Sequence, residues 1–208
     1  MLTRRGLLKG TVVTMAAPAE VKILDRVALS RFDFESKDVT GWTTVAGTWT
    51  VEEMDGAPSG RRVLVQRRTG NAFNVIVAPP GPFSDVDASV KFKPISGRED
   101  ASGGIVVRFD GGGYYVVRAN ALEDNLRLYH YDRRRRQLAT ADVKAPALGQ
   151  WHTLRILAIG DHLQSWLDGR LRLDHHDTRS RAGQVGLWTK ADSVTAFDEL
   201  TIRGIPAG

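Results

Sequence analysis

The stretch from Gln150 to Ile202 constrains the fold most, because it predicts five consecutive β-strands joined by short turns. Side chains alternate between the two faces of a strand, so Leu154, Ile156 and Ala158 share one face of the first strand. Asp168-Gly169 is the two-residue signal of a tight β-hairpin. This pattern predicts an all-β protein.

The register of that hairpin also follows from its turn. A two-residue loop places Trp166 opposite Leu171 and Leu167 opposite Arg170, so that each pair shares a face of the sheet. The segment closes with predicted strands at Gln184–Lys190 and Val194–Arg203.

The earlier part of the chain continues the pattern, with short strand-like runs between turns rich in Gly, Pro and Asp. About fourteen strands in total predict two packed antiparallel sheets, with a jelly-roll sandwich favoured over an up-and-down barrel. No linker divides the chain, so residues 20–208 are predicted to form one domain. The earlier runs are Arg31–Phe34, Thr48–Met54, Arg62–Arg67, Phe73–Ala78, Val86–Phe92, Gly104–Phe109, Tyr114–Ala119, Leu126–Tyr131 and Gln137–Val143.

Two runs, Ile105–Phe109 and Tyr114–Arg118, are almost continuously apolar, which predicts a central hairpin covered on both faces. Arg118 ends the second run, and a buried guanidinium needs a carboxylate partner. The acids near enough in sequence to supply one are Asp110, Glu123 and Asp124.

The amino terminus carries the features of an export signal. Thr3–Lys9 contains paired arginines followed by apolar residues, as in twin-arginine signals, and Ala17-Pro18-Ala19 offers small residues for cleavage. We therefore expect residues 1–19 to be a signal peptide and the product to be periplasmic or secreted. The alternative is an uncleaved, disordered arm. No other window resembles a membrane span, so no stable membrane insertion is expected.

Composition excludes several classes of function. The whole chain has a net charge of +5, but residues 20–208 hold 26 basic and 24 acidic residues, so no nucleic-acid-binding footprint is expected. Cysteine is absent, which excludes disulfides and thiol catalysis.

Four segments carry a resemblance to a known group of proteins: Lys91–Asp100, Gly103-Gly104, Tyr115–Asn125 and Gly186–Val194. They resemble exported bacterial proteins of the concanavalin A-like lectin and glucanase superfamily, close to domains labelled 3-keto-disaccharide hydrolase. The resemblance covers roughly residues 30 to 203. It implies a jelly roll that meets carbohydrate on its concave face, although a shared fold does not fix a function.

The catalytic residues of the glucanase branch are not evident in this chain. Retaining glycosidases need two carboxylates about 5 Å apart, and the family pattern Glu-x-Asp-x-x-Glu is absent. Asp85 and Asp87 share a strand face but begin a strand at a solvated position, which favours a structural role. Neither a nucleophile elbow nor a metalloprotease motif is present.

Two polar loops, Ala119–Asn125 and Thr189–Ser193, are the best candidates for a saccharide site. Amide and carboxylate groups match sugar hydroxyls, which both donate and accept hydrogen bonds, and nearby aromatic rings offer a stacking surface. The alternative is that the polar residues only form turns and that the tryptophan is part of the core. The candidate binding residues are Arg118, Asn120, Glu123, Asp124, Asn125, Trp188, Lys190 and Asp192.

A structural calcium ion is a further candidate, although no cofactor is required. Jelly rolls of this superfamily hold calcium where the first and last strands meet, and the resemblance therefore makes Asp33 and Asp198 its candidate ligands. Histidine suggests no site, since His162 looks isolated and the adjacent His175 and His176 point to opposite faces.

Three functions remain at this point: a noncatalytic carbohydrate-binding domain, which is favoured, a hydrolase or lyase of modified keto-disaccharides or glycosides, and a structural or interaction domain. The run Arg133–Arg136 is expected to form a solvated hairpin tip, with an anionic glycan as the alternative contact.

Overall fold

The computed structural model describes residues 27–37, 39–70 and 73–208. Within these ranges the regular elements are all β-strands, which confirms the predicted fold class. Among the same residues, no helix has the length and apolar character needed to cross a membrane. The strands are β1 (Ala28–Phe32), β2 (Thr43–Ala46), β3 (Trp49–Glu53), β4 (Arg62–Gln66), β5 (Phe73–Val77), β6 (Phe83–Ser96), β7 (Ser102–Phe109), β8 (Tyr114–Asn120), β9 (Glu123–Tyr131), β10 (Arg135–Asp142), β11 (His152–Ile159), β12 (His162–Leu167), β13 (Arg170–His176), β14 (Gln184–Lys190) and β15 (Val194–Pro206).

The strands form two antiparallel sheets packed face to face. Sheet A has the order β13-β12-β11-β6-β15-β4-β3, with β1 paired to β15. Sheet B has the order β10-β9-β8-β7-β14-β5-β2. This arrangement confirms the two-sheet jelly-roll sandwich, and it places the central strands of each sheet between long antiparallel neighbours.

The segment that most constrained the prediction is confirmed as β11 to β15. β14 has the predicted bounds, Gln184–Lys190. The hairpin register is confirmed at the turn, where Trp166 pairs with Leu171 and Leu167 with Arg170. Local turn chemistry and alternation therefore suffice to place these strands.

One hydrophobic core lies between the sheets, and β8 shows how alternation builds it. Tyr115, Val117 and Ala119 enter this core. Tyr114 and Val116, at the positions between them, belong to a second cluster on the other side of sheet B. The predicted central position of β7 and β8 is confirmed, because both faces of these strands are covered.

Sheet A contributes its apolar face to the same core. Leu154, Ile156 and Ala158 are fully buried there, as their shared face predicted. Phe92 of β6 and Phe197 of β15 are also fully buried. The outer face of sheet A mixes polar residues such as Lys91 and Arg155 with a small buried apolar cluster of Val63, Val65 and Ala196.

Several strand bounds differ from the prediction: β1 is Ala28–Phe32 instead of Arg31–Phe34, and the largest differences are at β2 and β6. The sequence did not indicate β2, because Thr43–Ala46 is mainly exposed and shows no apolar alternation. β6 extends from Phe83 to Ser96 and passes through Pro94, whereas the prediction covered only Val86–Phe92. The pairing of β15 with β6 shifts register beside Pro94, and such irregularities are where a strand tolerates proline.

The predicted signal peptide at residues 1–19 lies outside the described residues. Export, cleavage and the domain boundary at residue 20 therefore stay predictions.

The core between the sheets yields a direct stability test. Leu154→Ala removes a fully buried side chain and should lower the free energy of unfolding by about 2–5 kcal/mol. Leu171→Ala makes the same truncation at a side chain that is 48% exposed, so we expect a loss within about 0.5 kcal/mol. Urea denaturation of both variants provides the measurement, and equal losses would contradict the placement of Leu154 in the core.

Candidate functional site

The outer face of sheet B carries a second buried cluster instead of a fully solvated surface. Phe73, Phe109 and Tyr131 pack partly buried around it. An antiparallel sheet commonly leaves one face wet, so an apolar cluster on the outer face is a departure that calls for a functional explanation. The buried members are Val75, Val77, Val106, Tyr114, Val116, Tyr129 and Trp188.

Aromatic rings of this cluster form a continuous layer, which we call the aromatic floor (Phe73, Tyr114, Tyr129, Tyr131 and Trp188). Phe73 stacks on Trp188 with ring centroids 5.6 Å apart and meets Tyr131 edge-on at 5.5 Å. Tyr114 and Tyr131 stack at 5.1 Å. Burial raises the pKa of Tyr114 to about 12, so its hydroxyl stays protonated at neutral pH.

A cavity of about 290 Å³ opens beside the floor, lined by Phe73, Tyr114, Tyr131 and the triple glycine Gly111–Gly113. This volume is close to the lower end for small-molecule sites, roughly 300 Å³. Trp188 is only 1% exposed, so it supports the other rings rather than offering its own face to solvent. The half-buried Phe73 and Tyr131 hold the positions where a ligand ring can stack.

Charged groups lie in register with the floor across sheet B. Arg127 of β9 pairs with Arg118 of β8. Arg118 pairs on its other side with Gly104 of β7, and Gly104 pairs with Trp188 of β14. Because paired residues point to the same face, all four positions belong to the outer face. Gly104 has no side chain, and a Cβ there would lie 2.9 Å from the Val117 backbone oxygen and 3.3 Å from Arg118 Cβ, so β7 and β8 pack closely at this position.

A polar network surrounds Arg118, and we define it as Arg118, Glu123, Asn125 and Arg127. The Arg118 side chain is 4% exposed. Its Nη1 donates to Asn125 Oδ1 at 2.9 Å and its Nη2 to Glu123 Oε2 at 2.9 Å. Arg127 Nη1 lies 3.2 Å from the same Glu123 oxygen. Of the three acids that the sequence offered as partners, Glu123 is the one that pairs with Arg118.

The network fixes the ionisation of Glu123. Burial alone would raise the pKa of this carboxyl, but hydrogen bonds from Asn125 and Arg118 and the charges of Arg118 and Arg127 lower it. Glu123 is therefore a carboxylate at neutral pH and a weak base. One carboxylate faces two guanidinium groups, so the network has a net positive charge.

Arg127 retains hydrogen-bonding capacity toward a ligand. Its Nε atom is buried and has no hydrogen-bond partner, although Nη1 also reaches the Tyr129 hydroxyl at 3.4 Å. Buried polar groups are normally paired, so an unpaired donor beside a half-exposed carboxylate marks a place where a ligand atom can bind. Together, the polar network and the aromatic floor form what we call the B-face site.

The two predicted polar loops both contact a third segment, residues 98–101, at one end of the sandwich. The sequence did not single out this segment as part of the site. Asn120 Oδ1 accepts hydrogen bonds from the backbone N–H of Ala101 at 3.1 Å and Leu122 at 3.0 Å. Asp192 accepts from the backbone N–H groups of residues 98, 99 and 100 at 2.7–3.0 Å. Both side chains are thus engaged in holding the segment 98–101.

Other predicted residues of the two loops also have internal partners. Lys190 Nζ lies 3.5 Å from the buried Asp100 carboxylate. Asp124 accepts from the backbone N–H of Ala145 at 3.1 Å, on the opposite flank of β9 from the network. The structure brings Arg118, Glu123 and Asn125 together, and Asn120 Nδ2 donates to Glu123 Oε1 at 3.3 Å. Asp124 and Asp192 hold loops, and a saccharide site at the predicted residues stays a prediction.

The candidate calcium ligands lie near one another at the first and last strands. Ser59 donates its Oγ hydrogen to Asp198 Oδ1 at 2.7 Å, and the same hydroxyl lies 3.3 Å from the backbone oxygen of Asp33. Burial raises the pKa of Asp198, although hydrogen bonds from Ser59 and Glu199 oppose this effect. A calcium ion bound by Asp33 and Asp198 stays a prediction.

Asp33 also lines a groove of about 650 Å³ on the outer face of sheet A. This groove is larger than the B-face cavity, and one of its charged pairs is hydrogen-bonded: Arg155 donates to Asp87 through Nε at 2.7 Å and Nη2 at 2.8 Å. Phe32 is the single aromatic side chain among the described residues that line it. The groove thus offers one aromatic ring, whereas four aromatic residues line the B-face cavity.

The histidine interpretation was wrong for His162. His162 and His176 lie opposite each other on β12 and β13, and their rings stack 4.4 Å apart. With Asp174 they form the one group of three potential metal ligands among the described residues. The group belongs to sheet A, whereas the B-face site belongs to sheet B.

Another histidine contact, which the sequence did not predict, has the appearance of a catalytic pair. His130 Nε2 lies 3.1 Å from Ser180 Oγ, and burial lowers the pKa of His130. Both residues are buried, and neither lines the B-face cavity or the groove on sheet A. The contact therefore has a structural role in anchoring the loop around Ser180.

Comparison with known proteins gives consistent results. The family described as "3-keto-alpha-glucoside-1,2-lyase-like domain" matches residues 30–203. A levanase of Bacillus subtilis (strain 168) is 27% identical over 171 residues, which is 79% of this chain and 23% of that protein. The chain therefore spans less than a quarter of the levanase.

Solved structures support the fold. The carbohydrate-binding module CBM66 from Bacillus subtilis superposes with a TM-score of 0.68 at 24% identity, over 80% of this chain and 98% of the module. A Bacillus licheniformis β-glucanase superposes with a TM-score of 0.57 at 14% identity, over 86% of this chain and 98% of the glucanase. At these identities the likeness shows the jelly-roll fold alone.

The hydrogen bonds of Asp192 predict a pH-dependent stability. Backbone N–H groups of residues 98 and 100, with that of residue 99, lower the pKa of this carboxyl in the folded protein. Its stabilising effect is therefore full above the unfolded pKa, about 3.8, and is lost as the pH falls through the lower folded value. We expect Asp192→Asn to lose about 1–2 kcal/mol at pH 7. The free energy of unfolding of the wild type and the variant is measured by denaturation at pH 7 and at pH 3. A larger loss of stability at pH 3 than at pH 7 would contradict this role.

Proposed function

Because the chain belongs to the 3-keto-alpha-glucoside-1,2-lyase-like domain family, we propose that it binds a saccharide at the B-face site without transforming it. A sugar ring stacks on Phe73 and Tyr131 at the 290 Å³ cavity, and the hydroxyl groups of a further sugar unit bind to the polar network, which adjoins the floor at Tyr129. Carbohydrate binding by jelly-roll relatives supports this proposal at the level of the fold.

The observation that carries the proposal is the buried Arg118 guanidinium on the outer face of a sheet. Burying a charge is costly unless the charge is paired and hydrogen-bonded. Here Glu123 and Asn125 meet that need, yet both remain accessible enough to contact a ligand.

The mixture of donors and acceptors fits a neutral polyol. The guanidinium groups donate hydrogen bonds, the Glu123 carboxylate accepts them, and the Asn125 amide does both. A sugar hydroxyl can therefore both donate and accept hydrogen bonds at this site. Arg135 adds a cation next to the floor, 4.9 Å from the Tyr129 ring and 5.5 Å from the Phe73 ring. The site therefore provides stacking and hydrogen bonding on the same surface.

The relatives indicate which saccharides to examine first. A similar segment belongs to a protein named levanase, and the family description refers to α-glucosides. Levan and its fructose oligomers are therefore one set of probes, and α-linked glucose disaccharides with their 3-keto forms are the other.

A matched pair of arginine variants tests which sheet binds the ligand. Arg127 and Arg155 are both half-exposed and each lies beside one carboxylate, but they belong to opposite outer faces. Arg127→Ala should weaken binding about tenfold or more, because a hydrogen bond to a charged group contributes about 1.5–3 kcal/mol. Arg155→Ala should leave the affinity unchanged.

The affinities are measured by isothermal titration calorimetry with the tightest-binding probe from a glycan array. Circular dichroism of both variants controls for folding. Loss of binding in Arg155→Ala with full binding in Arg127→Ala would assign the ligand to the groove of sheet A instead.

A lyase acting on 3-keto-glucosides is the second candidate, and the family description favours it. Such an elimination requires a base that removes the proton next to the keto group while the glycosidic oxygen leaves. Glu123 is the carboxylate of the polar network, and its lowered pKa makes it a poor base. We therefore expect a 3-keto disaccharide to be recovered intact by mass spectrometry after incubation with the protein. If the wild type cleaves the 3-keto disaccharide and Glu123→Gln does not, the noncatalytic proposal is contradicted.

A further inference from the structure

The hairpin of β12 and β13 brings together side chains that the saccharide site does not use. His162 and His176 face each other across the two strands, and Asp174 lies two residues before His176 on the same face. One ligand atom from each of these three residues lies within 4.8 Å of the others. We propose that this cluster is a binding site for a divalent transition-metal ion such as Zn²⁺.

The donor set selects the class of ion. Two imidazoles and a carboxylate suit Zn²⁺, Cu²⁺ and Ni²⁺, whereas Ca²⁺ and Mg²⁺ take mainly oxygen ligands. Three protein ligands leave the fourth tetrahedral position open for water or for a donor atom of another molecule.

Hydrogen bonds already orient the donor atoms. His162 Nε2 lies 2.7 Å from Asp174 Oδ1, and a metal ion bound between them takes the place of the shared proton. His176 Nδ1 lies 3.2 Å from Asp161 Oδ1, so Asp161 acts as an outer partner that leaves Nε2 of His176 for the metal. Gln164 donates to the other Asp174 oxygen at 2.7 Å and fixes the carboxylate.

Binding requires only a local adjustment. Ligand atoms of a tetrahedral zinc site lie about 3.3 Å apart, given metal–ligand distances of about 2.0–2.1 Å. The two imidazoles are parallel within 2°, so both must turn about their Cβ–Cγ bonds to aim at one ion. The side chains of His162 and His176 are 36% and 63% exposed, which leaves room for this rotation.

The position of the cluster indicates what the ion does. β13 is the edge strand of sheet A, and its neighbour β12 supplies His162. A metal ion held by both strands joins the edge strand to the sheet and stabilises the hairpin, because it binds the paired strands and not the separated ones. Its open coordination position also gives this edge a point of attachment for a second molecule.

The full chain offers a matched control for the test. His175 is the neighbour of His176 but points to the opposite face of β13, where it pairs in register with Leu163. Titration of Zn²⁺ should show one site in the wild type and in His175→Ala. The affinity should fall at least tenfold in His162→Ala and in His176→Ala, and Asp161→Asn should weaken it about tenfold.

Isothermal titration calorimetry measures the affinity, and the shift of the melting temperature with Zn²⁺ is the second readout. Titration with Ca²⁺ should leave the wild-type hairpin unaffected, as judged by the histidine ring signals in NMR spectra. The proposal is overturned if the wild type shows no Zn²⁺ site, or if His175→Ala weakens binding as much as His176→Ala does.

Discussion

Alternation of side chains along the strands of sheet B is the constraint on which the rest of the structure depends. The residues of β8 that point inward build the core with sheet A, and those that point outward build the aromatic floor and hold Arg118. A shift of one residue would exchange the two sets, so the core would receive a guanidinium and the surface would receive the apolar packing. The core and the candidate binding face are therefore specified by one register.

The same register explains why the outer face can hold a charge that is nearly excluded from water. β8 is flanked by β7 and β9, so Arg118 has a neighbour on each side, and its partners Glu123 and Asn125 both come from the start of β9. Glu123 and Asn125 meet the guanidinium because β9 runs back along β8 immediately after a short turn. The tight turn between β8 and β9 thus lets Arg118 and Glu123, which are close in sequence, form an ion pair.

The sequence predicted the features that depend on local chemistry. Turn residues and alternation placed β11 to β15, and the short distance along the chain made Glu123 one of three candidate partners for Arg118. It did not indicate that Asp192 holds the segment 98–101, since that contact joins residues more than ninety positions apart. Such contacts depend on the topology of the sheets, which periodicity alone does not encode.

A small irregularity accounts for the error about His162. Continued without interruption, the predicted hairpin register would place His175 opposite His162. A bulge between Ser165 and Trp166 shifts the pairing by one residue and brings His176 there instead. No turn residue marks this bulge, so the sequence predicted the strands and their turn correctly and the histidine pair incorrectly.

The central claim is that the outer face of sheet B, and not that of sheet A, meets the saccharide. Backbone NMR during titration with levan oligosaccharides tests it most directly. The account predicts that shift changes concentrate at Tyr114–Arg118 of β8 and Glu123–Tyr131 of β9, while Asp87, Ser89 and Thr201 on sheet A stay unchanged. Changes confined to the sheet A residues would contradict it.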